Sequence, residues 1–226
     1  MPAEDRRKLL YLVGFAAAGI VALAVVLGFF MTRGGSSSST SSAGPKNLNL
    51  ATLAGIRRGP APWDQGYAGL PDRLGPLGLD QLPQEMLKQH IHQHLDVYIN
   101  GKHMVAPAGV GIYDNEFITE LHTHSASAEG LPGPATRPTG VIHVESPNDT
   151  TYSLGQFFGV WGVYLSKNCI GGYCGTPAKP FKVYLNGKPY TRDPVRMPLK
   201  EHEEIAIVYG KPPAKIPASF KWPSGL

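Results

Sequence analysis

Histidines recur at alternate positions in two short segments of this chain. The first segment, HIHQH, holds His90, His92 and His94, and the second, LHTH, holds His122 and His124. Alternate residues of a β-strand point to the same face, so each segment would present its imidazoles side by side. Random placement of eight histidines in 226 residues gives only about 0.3 such pairs. Because neutral imidazole is a common metal ligand, this spacing indicates a metal site.

A third segment, GVIHVES, adds His143 and Glu145 on one face of a predicted strand. In all three segments the histidines lie opposite the more apolar face, for example opposite Ile142 and Val144. If the three strands are neighbours in one sheet, their imidazoles converge on the side away from the core. His103 and His202 lack this pattern, and we expect them to take no part. The predicted metal ligands are His92, His94, His122, His124 and His143, with His90 and Glu145 as outer candidates.

The residue types restrict which metal such a site would take. Imidazole ligands suit Zn²⁺ and Cu²⁺, and Cu²⁺ binds more tightly than Zn²⁺ at a given site. Glu145 can serve as a carboxylate ligand or as a partner that orients a ligand. With Glu145 as a ligand, a two-histidine, one-carboxylate iron site is a further possibility. The predicted cofactor is a copper or zinc ion.

The surrounding sequence predicts the elements that must position these residues. Strand-type runs rich in Val, Ile, Tyr and Phe occupy 90–99, 103–106, 116–124, 140–146, 181–186 and 204–209. Ser153 and Gln156 form a capping-box pattern at the start of one helix, FFGVWGVYL. This order predicts an α+β fold with a mixed or antiparallel sheet and one helix, similar to a β-grasp fold. A β-sandwich is the alternative.

The N-terminal segment has the composition of a membrane anchor. The run from Leu9 to Met31 is uncharged and about 35 Å long as an α-helix, enough to cross a bilayer core of about 30 Å. Arg6–Lys8 is basic, whereas a single Arg33 follows the run, so the N-terminus is expected to be cytoplasmic. The remainder of the chain would then be extracytoplasmic, attached to the cell membrane by a single pass.

The composition divides the chain into five predicted parts. They are a cytoplasmic stub and transmembrane anchor at 1–32, a Ser/Gly linker at 33–45, a Pro/Gly-rich strap at 46–82, a His-rich metal-binding domain at 83–210, and an extended Pro-rich tail at 211–226. Few regular elements are expected in the strap apart from a short helical turn in LATLAG.

Charge and cysteine usage limit the partners and the compartment. Beyond Arg33 the chain carries 17 basic and 15 acidic residues without a basic run, so nucleic acid is not an expected partner. The two cysteines, Cys169 and Cys174, lie in CIGGYC and are expected to form a disulfide, typical of an oxidising compartment. A thiolate pair for metal or redox chemistry is the alternative.

Several segments together carry a family resemblance: HIHQHLDVYINGK, ELHTH, GVIHVESP, YSLGQFFGVWGVYL and LKEHEEIAIVYG. They resemble an uncharacterised family of membrane-anchored bacterial exported domains with His-x-His, His-Thr-His and Gly-x-Ile-His-x-Glu motifs. The resemblance covers about residues 83–210 and implies a shared histidine site. In that family a very short acidic turn joins the last two motifs, whereas SASAEGLPGPATRPT separates them here.

Three functions fit these features. The first is an anchored extracytoplasmic protein that captures, delivers or senses copper or zinc. The second is a zinc enzyme in which three histidines leave a position open for an activated water. The third is a pH-responsive interaction subunit of a membrane complex, with a membrane protein as its partner.

Overall fold

The structure, a computed structural model, describes residues 44–114 and 116–226. The predicted anchor at Leu9–Met31 and most of the linker at 33–45 lie outside these residues. In the part of the chain that is described, no helix combines the length and the apolar character needed to cross a membrane.

Within 44–114 and 116–226, eleven strands form one large sheet and two small ones. The strands are β1 Gln89–Ile99, β2 Lys102–Val105, β3 Ile112–Tyr113, β4 Phe117–Ile118, β5 Leu121–His122, β6 Val141–Ser146, β7 Cys169–Ile170, β8 Tyr173–Cys174, β9 Phe181–Leu185, β10 Lys188–Tyr190 and β11 Glu203–Tyr209. The large sheet has the order β10-β9-β11-β1-β6-β5, with β2 also paired to β1. Strands β3 and β4 form one small sheet, and β7 and β8 form the other.

Strand β1 organises the large sheet. One edge of β1 pairs with β11 in parallel, while its other edge pairs with β6 along Gln89–His94 and with β2 along Asp96–Ile99, both antiparallel. The sheet is therefore mixed, and the prediction of an α+β fold with such a sheet is confirmed. The described residues contain two α-helices where the sequence predicted one in this domain.

The predicted helix is α2, at Leu154–Trp161, and it begins at the predicted capping box. The Ser153 Oγ accepts from the Gln156 N–H at 3.2 Å, and the Gln156 Oε1 accepts from the Ser153 N–H at 2.9 Å. These bonds satisfy amide donors that a helix start leaves free. Every residue of α2 is buried, so packing offsets the low helix propensity of its glycines.

The second helix, α1 at Leu70–Leu77, lies in the segment expected to contain few regular elements. The side chain of Arg73 in this helix is buried and donates to backbone carbonyls of α2, with Nε 2.7 Å from Gly159 O and Nη2 3.0 Å from Val160 O. The expected helical turn in LATLAG is a short 3-10 helix at Leu50–Thr52. A second 3-10 helix covers Pro194–Arg196.

The hydrophobic core lies between the helices and one face of the large sheet. Strands β1, β6 and β11 contribute alternate residues, including Leu95, Ile142 and Ile205, which are fully buried. Residues 46–82 also contribute to this core through Leu50, Trp63, Leu70, Leu74, Leu77 and Leu79. The histidines of β1 and β6 take the opposite positions, so they project from the other face.

The segment predicted as one strand at 116–124 is broken into β4 and β5, and the prediction of a continuous strand is wrong. Strand β4 pairs with β3, whereas β5 pairs with β6 in the large sheet. Thr119 lies between β4 and β5 and belongs to neither strand, and its Oγ1 donates to Leu121 O at 2.6 Å. The alternation therefore stops at Glu120, whose carboxylate accepts from the Asp80 N–H rather than joining His122.

Candidate metal centre

The strand register brings three imidazoles into line across the sheet. His143 of β6 is paired with His92 of β1 on one side and with His122 of β5 on the other. The ring centroid of His143 lies 4.6 Å from that of His92 and 5.4 Å from that of His122. The ring centroids of His90 and His92 are 4.6 Å apart, and those of His124 and His143 are 4.7 Å apart. We call these five residues the imidazole row.

Glu145 lies in the middle of the imidazole row. Its Oε1 is 3.1 Å from His143 Nδ1, 3.3 Å from His90 Nε2 and 3.7 Å from His122 Nε2. Two sets of possible ligands share His143 and Glu145, and in each set the ligand atoms lie within 4.8 Å of one another. One set adds His90 and His92, and the other adds His122 and His124.

The orientation of His122 is fixed by a backbone carbonyl. Its Nδ1 lies 2.9 Å from Thr119 O, and since a carbonyl can only accept, Nδ1 carries the hydrogen. In the neutral ring the lone pair is then on Nε2, an atom that is buried and has no hydrogen-bond partner among the described residues. An imidazole held through one nitrogen with the other left free is the usual arrangement of a metal-ligating histidine.

His143 is held between two carboxylates. Its Nε2 lies 3.4 Å from Glu129 Oε1, and that oxygen also accepts from Thr139 Oγ1 at 2.8 Å. If Glu129 accepts the Nε2 hydrogen, the lone pair of Nδ1 faces Glu145, an unfavourable contact unless a cation or a second proton lies between them. Sequence reasoning did not identify Glu129 as a partner of His143. The one available signal is that Glu129 is the only acidic residue of SASAEGLPGPATRPT.

Burial sets the protonation of the row. It lowers the pKa of His92 to about 3, with further lowering by His143 and His90, and it lowers the pKa of His124 to about 3, with further lowering by His122 and His143. Both rings are therefore neutral, the form that binds metals.

His143 and Glu145, which the two ligand sets share, have pKa values that their neighbours shift against the effect of burial. Burial opposes protonation of His143, but the hydrogen bonds and charges of Glu129 and Glu145 outweigh it and raise its pKa. Burial likewise opposes ionisation of Glu145, but His122 and His143 lower its pKa well below the usual range. The centre thus combines the ionised Glu145 with the neutral imidazoles of His92 and His124.

His94 is not brought to the row. The parallel pairing of β1 with β11 places Glu204 beside it, and His94 Nδ1 lies 2.9 Å from Glu204 Oε2. Its Nε2 donates to Thr139 O at 3.1 Å, and its ring stacks on Phe220. His94 instead belongs to a separate buried group with Asp96 and Glu204.

His202 lies closer to the row than its sequence pattern indicated. Together with Glu201 and His92 it forms a further group of possible ligand atoms, although both Glu201 and His202 are exposed. The backbone explains this position, because His202 N–H donates to His92 O at 2.7 Å.

Both ends of the row reach solvent. The side chain of His90 is 37 % exposed and that of His124 is 18 % exposed, whereas that of His122 is completely buried. His124 also lines a surface cleft of about 470 Å³ together with Gln65 and Thr123. An ion can therefore approach the buried nitrogens from either end.

Comparison with known proteins adds no relationship to this geometry, since no family model, curated protein or solved structure matches the chain.

Proposed function

We propose that this protein is a membrane-anchored, extracytoplasmic metal-binding protein that holds copper or zinc at the imidazole row, for capture, delivery or sensing. One observation carries the proposal. The Nε2 atom of His122 is buried and has no hydrogen-bond partner within the described part of the chain, and it lies 3.7 Å from Oε1 of the ionised Glu145 and beside His143.

The energetic argument concerns unsatisfied polar atoms. Leaving a buried polar atom without a partner costs about 1–3 kcal/mol, and native proteins contain few such atoms. Here His122 Nε2, both ring nitrogens of His92 and the Oε2 of Glu145 are all buried and unpartnered within one cluster. Metal binding would satisfy His122 Nε2, Glu145 Oε2 and one ring nitrogen of His92, because each of these atoms can donate a lone pair.

The donor set favours zinc or Cu²⁺. His122, His124, His143 and Glu145 offer three nitrogens and one oxygen, which suits either ion. The sulfur atoms of Cys169 and Cys174 lie at bonding distance from each other, so they are not offered to a metal. The disulfide and the apolar run at Leu9–Met31 both support an extracytoplasmic location.

We further propose that the scaffold is β-grasp-like. In the order β2-β1-β11-β9-β10, the central strands β1 and β11 are parallel. Strand β1 forms a hairpin with β2, and β11 pairs with β9 of the hairpin β9-β10. Helix α2 lies in the connection between the two hairpins. In this interpretation β5 and β6 are additions beside the first half of β1. They bring His122, His143 and Glu145 to a sheet that already carries His90 and His92.

The cleft beside His124 favours a second candidate, a zinc enzyme. A zinc ion with three histidine ligands and an open position lowers the pKa of its bound water to about 7. Replacement of zinc by Co²⁺ would test this, because an ion with a titrating water changes its visible spectrum near neutral pH. A spectrum that stays constant between pH 6 and pH 9 would exclude the enzyme candidate.

The main test is elemental analysis of the full-length chain, purified from its native host without a histidine tag. We expect copper or zinc in at least stoichiometric amount, and a His122→Ala variant that binds the metal more than about 100-fold more weakly. His103→Ala is the matched control, since His103 is about half exposed and contacts Asp96 rather than the row. Absence of every transition metal, even after reconstitution, would contradict the proposal and favour the interaction subunit.

A further inference from the structure

We infer that the imidazole row binds two metal ions side by side, with Glu145 as a ligand shared between them. The inference rests on the proposed function and adds the number of ions and the ligands of each. It follows from the strand order, the unpartnered nitrogens and the position of the shared carboxylate.

The strand order produces two half-sites. Strand β6 lies between β1 and β5, so His143 and Glu145 occupy the middle of the row. Strand β1 contributes His90 and His92 on one side. The segment that begins with β5 contributes His122 and His124 on the other side.

One ion does not satisfy the whole row. A tetrahedral ion takes four ligands, whereas the row and Glu145 offer six. If the ion binds His122, His124, His143 and Glu145, both ring nitrogens of His92 remain buried without a partner. The side chain of His92 is only 4 % exposed, so solvent does not supply those partners. A second ion on the β1 side would bind one of these nitrogens and so reduce this cost.

The shared carboxylate is suited to bridging. Glu145 Oε1 already lies within 3.7 Å of nitrogens from His90, His122 and His143, and its Oε2 is buried and unpartnered. Two-metal sites hold their ions about 3.5–4 Å apart, a separation that one carboxylate can span. The buried Glu129 adds a second carboxylate beside the centre, which reduces repulsion between two divalent ions.

The two half-sites are unequal. His143 directs Nε2 towards Glu129, so only its Nδ1 is available and it serves one ion. The β5 side then has three histidines and Glu145, whereas the β1 side has His90, His92 and Glu145. His90 is also the most exposed member of the row. The β1 side should therefore bind its ion more weakly.

The test is the number of ions bound by the full-length chain. The protein is stripped with a chelator and dialysed against Zn²⁺, and zinc is then counted per chain. We expect two ions for the natural sequence, one for His92→Ala on the β1 side, and one for the double variant His122→Ala/His124→Ala on the β5 side. His103→Ala should keep two. His90→Ala replaces His92→Ala if circular dichroism shows that the latter is unfolded.

A second measurement uses Cu²⁺ in place of Zn²⁺. Two Cu²⁺ ions sharing a carboxylate couple magnetically, so the paramagnetic resonance signal of the fully loaded protein should be weaker than that of two isolated ions. In His92→Ala the signal should return to that of one isolated ion.

Each other outcome overturns the inference in a distinguishable way. One zinc per chain in the natural sequence refutes the two-ion arrangement but leaves the proposed function intact. No zinc and no copper refutes both. Two zinc ions in the His92→Ala variant would place the second ion elsewhere, and loss of both ions in either variant would show that the half-sites are not separate.

Discussion

At the scale of single residues, the members of the imidazole row differ in how readily they take up a proton. Burial keeps His92 and His124 neutral down to a pH of about 3. His143 holds a proton more tightly than an ordinary histidine, because Glu129 and Glu145 face its two nitrogens. His143 is therefore the ligand whose proton competes with the metal.

This difference predicts the pH dependence of metal binding. Because the pKa of His143 is raised, the metal-free protein keeps that proton at a pH where free histidine has lost it, and acid favours the metal-free form. The affinity should fall by about tenfold per pH unit below the pKa of His143, the slope expected for one proton. Calorimetric titration near pH 6 in two buffers of different ionisation enthalpy should show about one proton released per chain when the row is filled with metal.

Glu129→Gln is the informative variant for this prediction. It removes the negative charge that helps to raise the pKa of His143, so the loss of affinity should begin at a lower pH than in the natural sequence. Thr136→Ala, in the same loop between His124 and His143, should leave the profile unchanged. Release of two or more protons would mean that another histidine of the row is also protonated in the metal-free protein.

The sequence predicted part of this site. Alternation was sufficient to place His92, His143 and Glu145 on one face, since β1 and β6 are regular strands. The alternation of side chains along β1 could not show which strand pairs with β1 at His94. That strand is β11, and it places Glu204 beside His94. Glu129 was missed because a loop residue has no periodicity that indicates where its side chain points.

At the scale of elements, helix α2 depends on glycines that allow close packing. A Cβ atom on Gly155 would lie 2.4 Å from the backbone oxygen of Val195, which cannot move without shifting the chain. Gly155→Ala should therefore destabilise the fold by about 1–3 kcal/mol, although alanine has the higher helix propensity. The measurement is the midpoint of urea unfolding.

Gly75→Ala in α1 is the control for this prediction. A Cβ atom there meets nothing within 4 Å, so the unfolding free energy should change by less than about 1 kcal/mol. Equal effects at Gly75 and Gly155 would indicate that backbone entropy decides the outcome, and the packing explanation would fail.

Elements with strong local signals were predicted, and those that depend on tertiary pairing were not. The capping box of Ser153 and Gln156 marked the start of α2 correctly. Helix α1 was missed because Gly75, Pro71 and Pro76 in eight residues indicate a loop. The first proline lies at the helix start, where its missing N–H costs nothing, and burial of Arg73 and three leucines stabilises the remainder.

At the scale of the whole molecule, the two cysteines test the predicted compartment. Cys169 and Cys174 are paired directly across β7 and β8, with their Cα atoms 4.1 Å apart. We expect mass spectrometry of unreduced, alkylated protein to find no free thiol. Reduction should lower the unfolding free energy by about 2 kcal/mol, the low end of the usual range, because the closed loop is short. Two alkylated cysteines in protein kept oxidised would contradict the disulfide.

The backbone of His92 has a further consequence, which concerns how quickly an ion can leave. Strand β6 lies beside this residue at one edge of β1, and towards the other edge His92 N–H donates to Glu201 Oε2 and His92 O accepts from His202 N–H. The main chain that carries the ligand is thus anchored whether or not an ion is present. If the row holds an ion as proposed, the residence time of that ion would be set by exchange of side-chain ligands and not by opening of the sheet. An acceptor that reaches the exposed ring of His90 or His124 would take over the ion one ligand at a time, from a donor that stays folded throughout.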